Sequence, residues 1–208
     1  MFTQAADKWQ AVVASAKQST RQGQSILVGT RSVETSEHVS RLLSEADMPH
    51  TVLNARQDRM EAEIVAAAGQ PGRITVATNM AGRGTDIRLS RSVREAGGLY
   101  VILTEYHESQ RIDRQLFGRG GRQGDPGDFE CFAALDDEIL ERFGSPIVRR
   151  LARCCTYGGV PRVVPLLAQW LVRRAQRHAG YHNARIRRET LINDTRLAKM
   201  LAFAGRGE

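Results

Sequence analysis

Residues 73–87 read Arg-Ile-Thr-Val-Ala-Thr-Asn-Met-Ala-Gly-Arg-Gly-Thr-Asp-Ile. Ile74–Ala77 is a short, largely β-branched run with the composition of a buried strand. It passes without a spacer into a glycine-rich turn at 79–86. Gly82 and Gly84 permit a tight turn whose backbone amides can point at an anion. Arg83 and Asp86 add one positive and one negative side chain, and Asp86 can either accept from a ribose hydroxyl or orient an arginine. Gly82, Arg83, Gly84, Thr85 and Asp86 are therefore the first candidate ligand contacts. The plain alternative is an ordinary Asp-capped turn.

The same rhythm extends outward in both directions. Residues 3–21 have helix-forming composition, with Trp9, Val12, Val13 and Ala16 on one side and Gly23 beyond the end. Ser25–Val28 reads as a buried strand stopped by Gly29. Ser32 can cap a helix running to about Asp47, with Val39, Leu42 and Leu43 inward, and Pro49 stops it. Thr30 and Ser32 serve equally well as nucleotide contacts or as caps. His50–Leu53 is a second strand, 57–68 a helix closed by Gly69 and Pro71, and Gly98–Leu103 a fourth strand. A helix over 109–117, a fifth strand at Phe129–Ala134 and a short helix at Asp136–Phe143 follow. Strands alternating with helices at this spacing predict an α/β fold, a mostly parallel sheet with helices on both faces. Ligands of such sheets collect at the C-terminal strand ends. The turn at 79–86 and the helix over 109–117 both follow strands, so both are expected at that edge.

A second motif, QLFGRGGRQGDPG, spans 115–127. Arg119 and Arg122 are three residues apart, and Gln115 precedes the first by four, so on a helix all three share a face. Glycines at 118, 120, 121 and 124 let a backbone or a phosphate chain come close. Two permanently charged, planar guanidinium forks suit a polyphosphate. Solvated surface arginines are the plain alternative.

The chain has 208 residues and a net charge of +7. Its charge is uneven: residues 1–145 hold 17 basic and 20 acidic residues, and 146–208 hold 13 basic and 3 acidic. This predicts one domain over 1–145 and a basic, helical tail over 146–208. In that tail Leu167, Leu171, Ala175, His178 and Ile186 recur at helical steps. Too narrow an apolar stripe to stand alone, it must pack on something. Basic tails meet nucleic acid, anionic lipid headgroups or an acidic protein surface. Aromatics to stack on bases are sparse along its helical part, Trp170 and Tyr181, which ranks nucleic acid last. No run of eighteen apolar residues exists and the N-terminus lacks a charged-then-apolar signal, so a cytoplasmic chain is expected. Cys131 reads as a small core residue. With Cys154 and Cys155 adjacent and no zinc spacing, neither disulfide nor metal is expected.

A phosphate-binding loop needs Gly-x-x-x-x-Gly-Lys followed by Ser or Thr. The only lysines are Lys8, Lys17 and Lys199, and none follows a glycine. Asp136, Asp137 and Glu138 open a predicted helix, where acids suit the macrodipole, so they read as structural. His107 reads as a hydrogen-bonded structural or coupling residue. The chain thus offers arginines for a γ-phosphate and nothing to hold the rest of a nucleotide, which is half of a site.

NMAGRGTDI (79–87), HESQRID (107–113) and QLFGRGGRQGDPG (115–127) together resemble the second motor half of SecA, the ATPase that drives preproteins through the bacterial Sec channel. VGTRSVETSE (28–37) and VLNARQDRMEAEIVAAAGQPGRITVATN (52–79) are similar to preceding segments of that family, and 175–199 to the start of its long helical scaffold. The chain differs where the family usually has Lys and His, at Arg56 and Asp58, and at Tyr106, Phe117 and Gly120. The resemblance implies a RecA-like domain of the helicase C-terminal type. It assigns Arg119 and Arg122 to the γ-phosphate, Gln115 to the opening of their motif, and Arg83 and Asp86 to a nucleotide-contacting loop. It implies ATP as cofactor, with Mg²⁺ held mainly by a first motor domain. The implied partners are that domain, the Sec channel, preprotein and an anionic membrane surface, at the cytoplasmic side of the inner membrane. Two other readings remain open: the C-terminal motor domain of a superfamily 2 nucleic-acid helicase, and a non-catalytic module docking on a partner motor domain or membrane.

Overall fold

The computed structural model describes residues 1–53, 61–78, 86–154, 156–157 and 160–204. Strands β1 (Ser25–Thr30), β2 (His50–Leu53), β3 (Ile74–Thr78), β4 (Leu99–Leu103) and β5 (Gly127–Cys131) form one sheet in the order β2-β3-β1-β4-β5, with every pairing parallel. Between them run helices α2 (Val33–Glu45), α3 (Glu61–Ala67), α4 (Arg91–Glu95) and α5 (Gln110–Phe117), and α1 (Ala5–Arg21) precedes the first strand.

Period-two alternation divides the core. Ile26, Val28, Ile74, Val76, Tyr100 and Ile102 point to one face and pack with Val12 and Ala16 of α1 and Val39 and Leu43 of α2. Leu27, Ala77, Leu99 and Val101 point to the other, against Val65 of α3, Val93 of α4 and Leu116 of α5. Strands β1, β3 and β4 are buried throughout. This explains their unbroken apolar spelling, and each fully buried Ile or Leu contributes roughly 1.5–3 kcal/mol. Ser32 does cap α2, its Oγ accepting from the Thr35 amide at 3.1 Å.

The fifth strand starts and ends earlier than expected, at Gly127–Cys131 instead of Phe129–Ala134. Its partner β4 stops at Leu103, so the ladder closes with Phe132 N–H donating to Leu103 O at 2.8 Å. The buried run Phe132–Leu135 then pairs with the chain start, where Phe2 N–H donates to Ala133 O at 2.7 Å. Helix α4, only five residues long, leaves no readable period in the sequence.

The C-terminal part comprises α6 (Glu138–Phe143), α7 (Pro146–Cys154), an antiparallel pair β6 (Thr156–Tyr157) and β7 (Val160–Val163), and the 40-residue α8 (Pro165–Ala204). Forty residues make a helix of about 60 Å. Leu135, Ile139, Leu140, Ala152, Val163, Ala168, Leu171 and Ala175 form one cluster, so the start of α8 packs where the chain leaves β5. The expected stripe holds at Leu171 and Ala175, then shifts. Ala179 is buried, whereas His178 is exposed and Ile186 is 47 % exposed. Beyond Asn183 the described side chains of α8 face solvent.

The acids at 136–138 tie this part to α1. Asp136 Oδ2 accepts from the Ala5 amide at 3.1 Å, and Asp137 Oδ2 from the Ala134 amide at 2.8 Å. The other Asp137 oxygen pairs with Lys8 Nζ, and both side chains are almost fully buried. Burial pushes the Asp137 carboxyl up to about 6, outweighing the pull of Lys8. A folded-state pKa above the unfolded value of 3.8 means that protonation favours the fold. The contribution is complete below about 3.8 and is lost as pH rises through about 6. Lys8→Ala leaves a buried carboxylate uncompensated and should cost about 3–5 kcal/mol at pH 8. The cost should shrink at pH 5, where a neutral carboxyl needs no ammonium. Urea unfolding at both pH values checks this, and an equal loss at both would refute the pairing argument.

Candidate functional site

Helix α5 begins just past the C-terminal end of β4 and runs back across the sheet. Ser109 caps it, accepting from the Arg111 amide at 3.3 Å, and Leu116 seats it on the second core cluster. The helix stops at Phe117, with Gly118 as its C-cap. The helical face expected to join Gln115, Arg119 and Arg122 therefore does not exist. Gln115 lies exposed on the last turn of α5, half-buried Arg119 lies two residues beyond it, and Arg122 opens a separate 3-10 turn, Arg122–Gly124. Gly121, at φ +69°, reverses the chain between them, a conformation that favours glycine.

The edge of the sheet also differs from expectation. The turn packs against the beginnings of strands: the backbone at Gly120 lies beside the Leu99 carbonyl, and a Cβ at Gly127 would come within 2.7 Å of Gly121 N. Arg94, at the end of α4, pairs with Asp125 at 3.0 Å. Arg119 and Arg122 thus sit at the N-terminal strand edge, because a helix crossing a parallel sheet returns the chain to the start of the next strand. Past the C-terminal ends of β1, β4 and β5 lie Arg31, Glu105 and Asp137, where Arg31 pairs with Glu105 at 4.0 Å and with Glu138 of α6 at 3.3 Å.

Asp86 and Arg122, 36 residues apart in sequence, meet here. Arg122 Nη1 donates to Asp86 Oδ1 at 3.3 Å and its Nε to Gly118 O at 3.0 Å. Gln123, absent from the sequence-derived site, donates through Nε2 to Asp86 Oδ2 at 2.8 Å. It does so from φ +54°, a left-handed conformation that costs a non-glycine residue about 1–2 kcal/mol. A glutamine wedged among turn glycines was the available signal. The Asp86 and Arg122 side chains are 33 % and 39 % exposed. A pair this wet contributes about 0.2–1 kcal/mol, so Arg122 can change partners at little cost. Gly82, Arg83, Gly84 and Thr85 lie outside the described residues.

At the other end of α5 the polar groups are buried. Asp113 Oδ1 accepts from His107 N at 3.0 Å and pairs with His107 Nδ1 at 2.7 Å. Gln176 of α8 donates through Nε2 to Asp113 Oδ2 at 2.7 Å and to His107 O at 2.9 Å. His107 is hydrogen-bonded, as expected; Gln176 carried no sequence signal beyond its helical position. Nearby, desolvation pushes the Cys131 thiol up to about 12 and raises the Tyr106 phenol, the two side chains being hydrogen-bonded. A cavity of about 650 Å³ between α8 and the start of α5, with Ser109, Arg173, Arg177 and Arg187 in its wall, contains neither Arg119 nor Arg122.

The family model for the SecA P-loop domain matches residues 1–93 and 90–156. The chain belongs to the SecA P-loop domain family. It is 50 % identical over 208 residues to protein translocase subunit SecA 2 of Nitrosospira multiformis, covering all of this chain and 31 % of that protein. It is 48 % identical over 190 residues to protein translocase subunit SecA of Thermosipho melanesiensis, covering 91 % of this chain and 22 % of that one. The chain therefore spans about a fifth to a third of the length of these curated SecA relatives. The phosphate loop for which the family is named is not spelled within these 208 residues. Among solved structures, the E. coli DEAD-box protein SrmB bound to regulator of ribonuclease activity A matches with a TM-score of 0.53 at 20 % identity, covering 80 % of this chain and 89 % of that one. Mss116p DEAD-box helicase domain 2 bound to an RNA duplex matches at 0.50 and 15 % identity, covering 83 % and 66 %. These likenesses show the RecA-like α/β fold. Among the described residues no helix is long and apolar enough to cross a membrane.

If the Asp86–Arg122 contact is as weak as its exposure implies, Asp86→Asn should change the unfolding free energy by less than about 1 kcal/mol. Chemical denaturation measures this, and a loss of several kcal/mol would make the pair a structural anchor instead.

Proposed function

We propose that this chain is the second motor half of a SecA-type protein-translocating ATPase. The observation that carries the reading is the Arg122–Asp86 contact, which joins the two arginine- and glycine-rich motifs in a member of the SecA family. The donor set fits a phosphate: Arg119 and Arg122 supply fixed positive charge beside glycine-rich backbone. It does not fit Mg²⁺, since Asp86 is taken by Arg122 and Gln123. ATP, held with Mg²⁺ mainly by a first motor domain of this or another chain, would supply the γ-phosphoryl group that passes to water as ADP leaves. Arg119 and Arg122 stabilise negative charge on that group, and Gln115 lines the approach from α5. Gly82, Arg83, Gly84 and Thr85 lead into Asp86, which holds Arg122 until a phosphate replaces the carboxylate. Closure of the two halves is then sensed by this exchange.

Preprotein and the Sec channel are the proposed cargo and partner, following the SecA relatives. The basic stretch after residue 146 offers charge for an anionic membrane surface, consistent with a cytoplasmic, peripheral protein.

Arg122→Ala, introduced where both motor halves are present, should lower ATP turnover by two or more orders of magnitude. Turnover within a factor of about two of the parent would remove Arg122 from the site. The 208-residue chain by itself should hydrolyse no ATP, and turnover that co-purifies with it through several columns would overthrow the half-site reading.

A further inference from the structure

Helix α8 is fastened to the 107–113 segment by two side-chain amides. Gln176, 7 % exposed, uses its Nε2 for both His107 O and Asp113 Oδ2. Asn183 Nδ2 donates to Glu108 Oε2 at 2.6 Å. Seven residues make about two helical turns, so both amides leave one face of α8. Asp113 is the junction. It is 4 % exposed, and its carboxylate collects donors from the His107 main chain, the His107 ring and Gln176.

An apolar seat would let α8 slide, because dispersion contacts have no direction. Hydrogen bonds to a buried carboxylate do have direction, and leaving them unmade is costly, so the contact has one register and is either made or lost. Asp113 belongs to α5, whose last residue Phe117 lies about 6 Å of helical rise further on, and Arg119 follows two residues later in a turn bonded back to that helix through Arg119 N–H to Leu116 O. So short a helix moves as a unit. On the other side, α8 continues from Asn183 to Ala204 with its described side chains in solvent, a lever about 30 Å long.

We infer that Gln176 is a positioning residue: it sets α5, and through α5 the Arg119–Arg122 turn, according to where α8 lies, so that displacing α8 moves the arginines. The inference rests on the phosphate reading of Arg119 and Arg122 only for its functional consequence.

The test is residue-resolved amide exchange by NMR on the whole 208-residue chain. The reporters are Gly118, Arg119 and Gly120, whose N–H groups bond to Arg114 O, Leu116 O and Phe117 O at 2.9, 3.0 and 3.1 Å. Gln176→Met keeps length and bulk but removes both donors. Exchange at the three reporters should rise about tenfold or more, the size of one buried hydrogen bond, while the core amides of Ile26 and Phe132 keep the parent rate. Acceleration confined to α8, with the reporters unchanged, overturns the inference. Should Gln176→Met fail to fold, Asn183→Ala at a half-buried position serves instead. It should accelerate the same reporters about threefold, and unchanged rates would again overturn the coupling. No nucleotide enters this experiment. Unchanged exchange sinks the coupling and leaves the arginine assignment standing, whereas full ATP turnover in Arg122→Ala does the reverse.

Discussion

A parallel sheet whose central strands are apolar on both faces must be covered on both faces, and that constraint places almost everything else in this chain. β1, β3 and β4 leave no side for solvent. Parallel connections have to cross from one end of the sheet to the other, so the connecting helices supply the cover. α1 and α2 take one face, α3 to α5 the other. The path of α5 then follows: it starts near His107 beyond β4 and must deliver the chain to Gly127 at the start of β5. The arginine turn sits where it does because the chain has to reverse there.

Two kinds of polar contact occupy the two ends of α5, and they differ in kind because they differ in burial. Near His107 the groups are shielded from water, and Asp113 is held by several short donors. In that environment a missing partner is expensive, so the arrangement is fixed. At the other end Arg122 and Asp86 are a third or more exposed, water competes with the contact, and either partner can be exchanged. The mount near one end of this short helix is thus rigid, whereas the cation in the turn beyond its other end is exchangeable. Lys8 and Asp137 repeat the buried pattern between α1 and the start of α6, where burial dominates even over an ion pair.

The fold was legible because its signals are local or periodic. The apolar runs at 25–28, 50–53 and 74–77, the Ser32 cap and the helix over 109–117 all appear in the structure within a few residues of their expected bounds. The end of β5 was misplaced because Phe132–Leu135 is as apolar as a strand but finds its partner in Phe2, at the far end of the chain. The site was half legible. Of the candidates chosen for residue type and neighbouring glycines, Asp86 and Arg122 do meet in the structure. Gln123 offered only its place among turn glycines and Gln176 only its place on a helix, since a glutamine has no chemistry until something lies within hydrogen-bond reach. Likewise nothing in the spelling of Lys8 announces that it is buried.

By itself the sequence determined the alternation of strand and helix, the concentration of positive charge after residue 146, and the presence of two glycine- and arginine-rich motifs. It did so because composition, periodicity and turn chemistry act over a few residues and survive without a fold. Only the tertiary structure decided that Gln115, Arg119 and Arg122 share no helical face, since Gly118 and the positive φ of Gly121 end the helix before the arginines. It alone brought Asp86 to Arg122, put that pair at the N-terminal strand edge, and fastened α8 to Asp113 through Gln176. Those are contacts between residues 36 and 63 positions apart, and what sets them is the direction in which each helix crosses the sheet.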